Sequence, residues 1–162
     1  MKWAENRLLG WVAVAALMFG MQFAVNHDLA TGAPPPLSGQ TLDGQRFDLA
    51  QLRGRPALIY FWASWCPICR GMQGTVQAVA ADVPFISVAM QSGNAQEVAQ
   101  YQRNQGWQVP TLLDEDGALA ARFGLRGVPA LFVLGADGTI RHATTGYTSE
   151  LGLRARLWLA GW

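Results

Sequence analysis

Both cysteines of this 162-residue chain fall in one Cys-x-x-Cys, Cys66-Pro67-Ile68-Cys69. The run before it, Ala57-Leu58-Ile59-Tyr60-Phe61-Trp62, has the length and apolarity of a strand buried on both faces. After Trp65-Cys66 the pattern turns helical, from about Pro67 to Ala81. Cys66 therefore sits at a helix N-terminus, where unpaired N–H groups and the macrodipole favour a thiolate, the nucleophile of disulfide exchange. Pro67 suits the first helical turn, where it has no N–H to lose. Because the end effect fades within a turn, Cys66 is expected to attack. Cys69 would be the deeper thiol that resolves the mixed disulfide, leaving a Cys66–Cys69 disulfide.

Other uses of two cysteines are weaker. A zinc site needs two more ligands, and His27 and His142 lie at no ligand spacing, so no metal is assigned. A structural disulfide across so small a loop would add little through chain entropy. A copper(I)-handling module would use the sulfurs as soft ligands, but a single Cys-x-x-Cys argues against it. No other cofactor is implied. The run Asp114-Glu115-Asp116 reads as a solvated turn and His142 as a surface residue in a strand.

The elements that must position the pair form an alternating series. Leu37 to Leu49 carries Asp43-Gly44 between short runs, a hairpin signal of type I′. Further strands are expected at 85–90, 109–113, 130–134 and 140–145, the last two joined by Asp137-Gly138. Helices are expected from Ser92 or Asn94 to Gln105, over 118–123, and after Ser149 with Leu153, Leu157 and Trp158 on one face. Strands alternating with helices and closing on a hairpin and a helix indicate an α/β sheet covered on both sides.

Hydrophobic residues make up 51% of the chain and charged residues 14%, which excludes a disordered or fibrous protein. A net charge of +1, with the basic residues scattered, excludes a nucleic-acid binder. Leu8 to Val25 is an uncharged apolar run. As a helix it would span roughly 27 Å, close to the hydrocarbon thickness of a bilayer. Lys2 and Arg7 precede it and no Lys or Arg follows before Arg46, so the positive-inside bias puts everything after Val25 across the membrane. A cleaved signal peptide is the competitor, but the sites at Ala30 and Ala33 are poor and no cysteine offers a lipid anchor. The expected organisation is a cytoplasmic N-terminus over 1–7, a transmembrane anchor over 8–25, a Pro-rich stalk over 26–36 and one domain over 37–162.

The segment Phe61-Trp62-Ala63-Ser64-Trp65-Cys66-Pro67-Ile68-Cys69 resembles the active-site segment of the thioredoxin superfamily. The preceding Asp43-Gly44-Gln45 and the Leu49…Leu52-Arg53-Gly54 run resemble its membrane-anchored TlpA-like branch, nearest the suppressor-of-copper-sensitivity D type of protein disulfide oxidoreductase. The resemblance covers Leu37 to the C-terminus. It implies a thioredoxin-like fold, a central mixed sheet flanked by helices, with an N-terminal hairpin and an inserted strand–helix segment. It further implies a single-pass protein of the bacterial inner membrane with its catalytic domain in the periplasm. There it would exchange disulfides with exported proteins and share electrons with a membrane donor or acceptor of dithiols.

The family keeps a cis-proline against its cysteine pair, and of Val109-Pro110 and Val128-Pro129 the second leads into the strand before the terminal hairpin. The resemblance thus implies that Pro129 is cis, with Val128 beside the sulfurs and the loop open to a substrate backbone. Trp65, Pro67 and Ile68 are the expected neighbours of the sulfurs, with Trp62 in the core. Two family features are missing. The position of the buried carboxylate on the central strand holds Tyr60, and that of a Glu three residues after the second cysteine holds Met72. Cytochrome c maturation reductants, the nearest alternative, typically carry a Glu after the cis-proline, where this chain has Ala130.

Overall fold

The structure, a computed structural model, describes Trp11 and residues 28–161. The expected anchor over 8–25 lies outside the described residues apart from Trp11, and no helix among the described residues is long and apolar enough to cross a membrane. The chain order is β1 (Ser38–Gln40), β2 (Arg46–Asp48), a 3-10 turn (Leu49–Leu52), β3 (Ala57–Trp62), α1 (Pro67–Ala80), β4 (Phe85–Met90), α2 (Ala95–Gln105), β5 (Thr111–Asp114), α3 (Ala118–Arg122), β6 (Ala130–Leu134), β7 (Ile140–Thr145) and α4 (Glu150–Ala160). β1 and β2 form the N-terminal hairpin.

The other five strands form one mixed sheet in the order β5-β4-β3-β6-β7, with β4 parallel to β3 and β5, and β6 antiparallel to β3 and β7. Every residue of β3 is buried, because the period of two sends alternate side chains into two separate cores. Leu58, Tyr60 and Trp62 enter one core with Cys66, Cys69, Met72 and Val76, while Ile59 and Phe61 enter the other with Phe123 and Phe132. The helix α2 and edge strand β5 stand between β4 and α3.

Three local expectations are corrected. The first Asp-Gly turn is not type I′, since Asp43 lacks the positive φ that type demands. Instead Gly44 N–H donates to the Thr41 carbonyl and Gly44 takes φ +82°, a type I turn closed by a left-handed glycine. Trp158 is exposed, because it stands about 140° around the helix from the buried Leu153. Residues 29–36 do not form a free stalk. Leu29 and Leu37 are buried, Ala30 N–H donates to the Phe123 carbonyl, and Gly32 bridges to Ile140 on the edge strand β7.

Candidate active site

The strand β3 ends at Trp62, and three residues, Ala63 to Trp65, carry the chain from the sheet into α1. Cys66 is the N-cap of that helix and Pro67 its first residue. The Cys66 sulfur accepts the Cys69 backbone N–H at 3.1 Å, one of the donors that a helix start leaves without an internal partner. On its other side the Cys66 thiol donates to the Val128 carbonyl at 3.5 Å. The Val128–Pro129 bond is cis, and it is the one cis peptide among the described residues. Pro110 is trans, and its carbonyl accepts the Ser87 N–H within the sheet. Cys66, Cys69, Val128 and Pro129 are thus together at one end of the sheet, with both thiols free in this structure.

Both sulfurs belong to buried residues, but their neighbours at the surface are open. Trp65 is 57% exposed and Ile68 50% exposed, and Pro67 is exposed between them. Trp65 keeps its orientation by donating its indole N–H to the Gln91 carbonyl at 3.0 Å. Beside it, Ser64 N–H donates to the Ser92 hydroxyl at 3.0 Å. The loop after β4 therefore fixes the loop before α1. Gln91 reaches its place at φ +45°, alone among the described non-glycine residues in the left-handed region. Asn94, not Ser92, caps α2, in a capping box closed by Glu97. The turn-like composition at 91–94 signals a loop but not its grip on the cysteine segment.

Cys69 faces a different environment. Burial, first, and its hydrogen-bonded neighbour Cys66, second, push its thiol up from about 9 to about 12, against smaller opposing effects from the Ala63 backbone and Tyr60. Tyr60 stands on the central strand beneath it with no exposed surface. Burial raises the Tyr60 phenol well above its usual value, and the interaction with Cys69 adds to that. The Tyr60 hydroxyl makes no hydrogen bond of ordinary length and angle among the described residues. Met72 is fully buried among apolar side chains in the same core.

Trp62 is held from behind by a polar chain that the apolar strand pattern conceals. Its indole N–H donates to the Ser87 hydroxyl at 3.2 Å, which is 2.7 Å from the Thr111 hydroxyl, which accepts from the Gln102 amide at 2.8 Å. The face of its ring stacks on Tyr101 with centroids 5.4 Å apart. Asp114 is the other missed residue. It is only 2% exposed rather than part of a solvated turn, and its carboxylate accepts the Leu119 and Ala120 N–H groups at the start of α3. No cluster of metal-ligating side chains occurs among the described residues.

The site is thus a Cys-x-x-Cys at a helix N-terminus beside a cis-proline, on a mixed sheet. The Redoxin family matches residues 29–155. A "Thioredoxin-like protein" of Haemophilus influenzae is 34% identical over 123 residues, 75% of this chain and 73% of that protein. A "Thiol:disulfide interchange protein DsbE" of Allochromatium vinosum is 29% identical over 144 residues, 84% of this chain and 80% of that protein. Among solved structures, a secreted Mycobacterium tuberculosis disulfide oxidoreductase homologous to E. coli DsbE superposes with TM-score 0.66 at 29% identity. That match covers 76% of this chain and 95% of that one. The chain accordingly belongs to the Redoxin family, as a thiol:disulfide oxidoreductase of thioredoxin-like fold.

Proposed function

We propose that the protein is a periplasmic thiol:disulfide oxidoreductase tethered to the inner membrane by residues 8–25, in which Cys66 attacks the substrate sulfur and Cys69 resolves the mixed disulfide. The observation that carries the division of roles is the contrast at the two sulfurs. Cys66 caps a helix and accepts an N–H at 3.1 Å, whereas the thiol of Cys69 is held protonated by burial. A substrate chain would lie along Val128 and Pro129, against the exposed Trp65, Pro67 and Ile68.

The path of the N-terminal segment supports a partner at the membrane. Gly32 pairs antiparallel with Ile140 at the start of β7, so the chain before it runs toward the far end of β7, where Thr145 pairs with Ala130 beside Pro129. Asp28 there forms an ion pair with Arg126, two residues before Val128. With the anchor ending at Val25, the sulfurs would face the bilayer at the end of a very short tether. This arrangement favours a membrane donor or acceptor of dithiols alongside exported proteins.

Two measurements test the reading. In a Gram-negative host, a reporter fused after Trp162 should be active only if it works in the periplasm, and the full-length chain should stay with membranes. Cys69→Ser in that chain should accumulate partners linked through Cys66. A soluble species beginning near Thr31 would defeat the tether. Equal trapping by Cys66→Ser would defeat the assigned roles.

A further inference from the structure

The Tyr60 hydroxyl has no established part in the exchange reaction, yet its surroundings single it out. It is a fully buried polar group without a hydrogen bond of ordinary geometry among the described residues, and such a group normally costs stability. It shares its core with Cys69, each altering the other's proton affinity, and with Trp107, whose indole N–H is likewise without a hydrogen bond among the described residues. The titratable groups that face it are Cys66 and Cys69 from α1 and Tyr101 from α2. The same buried core holds Leu131 and Val133 of β6, Leu153 of α4, and Trp107, whose ring meets Tyr60 edge-on at 6.2 Å.

We propose that the Tyr60 hydroxyl is the hydrogen-bond donor that stabilises the Cys69 thiolate at the moment of resolution. The inference rests on the assignment of Cys69 as the resolving cysteine. In that step the Cys69 sulfur attacks Cys66, the Cys66–Cys69 bond forms, and the bond from Cys66 to the substrate sulfur breaks. The substrate leaves as a thiolate and takes up the proton that Cys69 gave up, so the step consumes no outside acid, base or electron carrier. The phenol keeps its own proton throughout, as its raised proton affinity requires. It acts by turning its O–H toward a charge that exists only as the step proceeds. A hydroxyl committed to no other acceptor suits that role, because a donor engaged elsewhere would have to break a bond first.

The test is Tyr60→Phe, which removes one oxygen and keeps the ring. Decay of the mixed disulfide between Cys66 and a cysteine peptide should slow by about tenfold or more at neutral pH, the worth of one hydrogen bond to a charged group. Its pH profile should shift to the alkaline side, while the rate of the first attack stays unchanged. Independently, thiolate absorbance of Cys69 in a Cys66→Ser background should appear at higher pH when Tyr60→Phe is added. Unchanged resolution and unchanged titration overturn the proposal. So does an equal loss of attack and resolution, which would mark the hydroxyl as a packing group. If Cys69→Ser fails to trap partners, it is the assignment of the cysteines that falls.

Discussion

The Cys69 backbone N–H donates to the Cys66 sulfur at 3.1 Å, so the residue that fixes the first sulfur is the one that carries the second. Cys66 gains the helix-terminal donor, whereas burial dominates at Cys69, one turn further in. The asymmetry follows from the spacing of two residues between the cysteines and from where α1 begins. It gives the two thiols separate work on one rigid turn.

The first expected outcome concerns that division. Cys69→Ser leaves the Cys66 sulfur at its cap and should accumulate mixed disulfides, visible as high-mass species that collapse on reduction. Cys66→Ser should accumulate none. Faster alkylation of Cys69 than of Cys66 near neutral pH would contradict the assignment.

The polar chain behind Trp62 gives a second. Ser87→Ala removes the acceptor of the Trp62 indole N–H and a partner of the Thr111 hydroxyl, both out of reach of solvent. The cost should be about 1–3 kcal/mol in a urea titration, since the buried Trp62 N–H is left unpaired while the Thr111 hydroxyl keeps Gln102 and the Val109 carbonyl. Exchange activity of the folded fraction should fall less than stability does. A variant as stable as the parent would show that Trp62 is held by packing alone.

Much of this was legible in the residues. The run at 57–62 reads as a strand buried on both faces and those at 85–90 and 130–134 as strands, and each sends alternate side chains into the two cores. The cysteine pair announced its place by following the first of them. What escaped the sequence is what depends on contacts across the fold. Nothing local distinguishes Asp114, buried and accepting the Leu119 and Ala120 N–H groups, from the exposed Glu115 and Asp116 beside it. Ser87 reads as one small residue in an apolar run until Trp62, Thr111 and Gln102 converge on it. The segment 29–36 looks like a linker because its composition is Pro and small residues, whereas Leu29 and Leu37 tie it down at both ends.

That packed segment yields a third expectation. Gly124 holds φ +74° with the Asp28 carbonyl directly against its Cα, where a Cβ would collide with backbone. Gly124→Ala therefore pays both backbone strain and displacement of residues 28–30. Cleavage by a nonspecific protease should appear between Asp28 and Leu37 in the variant and not in the parent. Identical digestion patterns would show that the segment is held from elsewhere, by Gly32 and Ile140.

The fourth concerns pH, and the sign follows from the proton count. Cys69 holds its proton more tightly folded, to about pH 12, than in the unfolded chain, where a thiol ionises near 9. Below that value both states keep the proton, and Cys69 makes no pH-dependent contribution. Above it the unfolded chain releases a proton that the folded dithiol retains. Unfolding is therefore favoured progressively as pH rises from about 9 toward 12. The disulfide form has no Cys69 proton to lose, so its stability should fall less over the same interval. Tyr60, also buried with a raised proton affinity, acts in the same direction in both redox forms and so largely cancels from the difference. The melting temperature of the dithiol form, held reduced with a phosphine, should drop relative to the disulfide form between pH 8 and pH 10, a range that brackets ordinary thiol ionisation at about 8.5. The reduced Cys69→Ser variant should lose the excess slope while keeping the rest. Parallel pH dependence in the two redox forms would mean that Cys69 ionises in the folded protein as readily as in the unfolded one, and the account of its burial would fail.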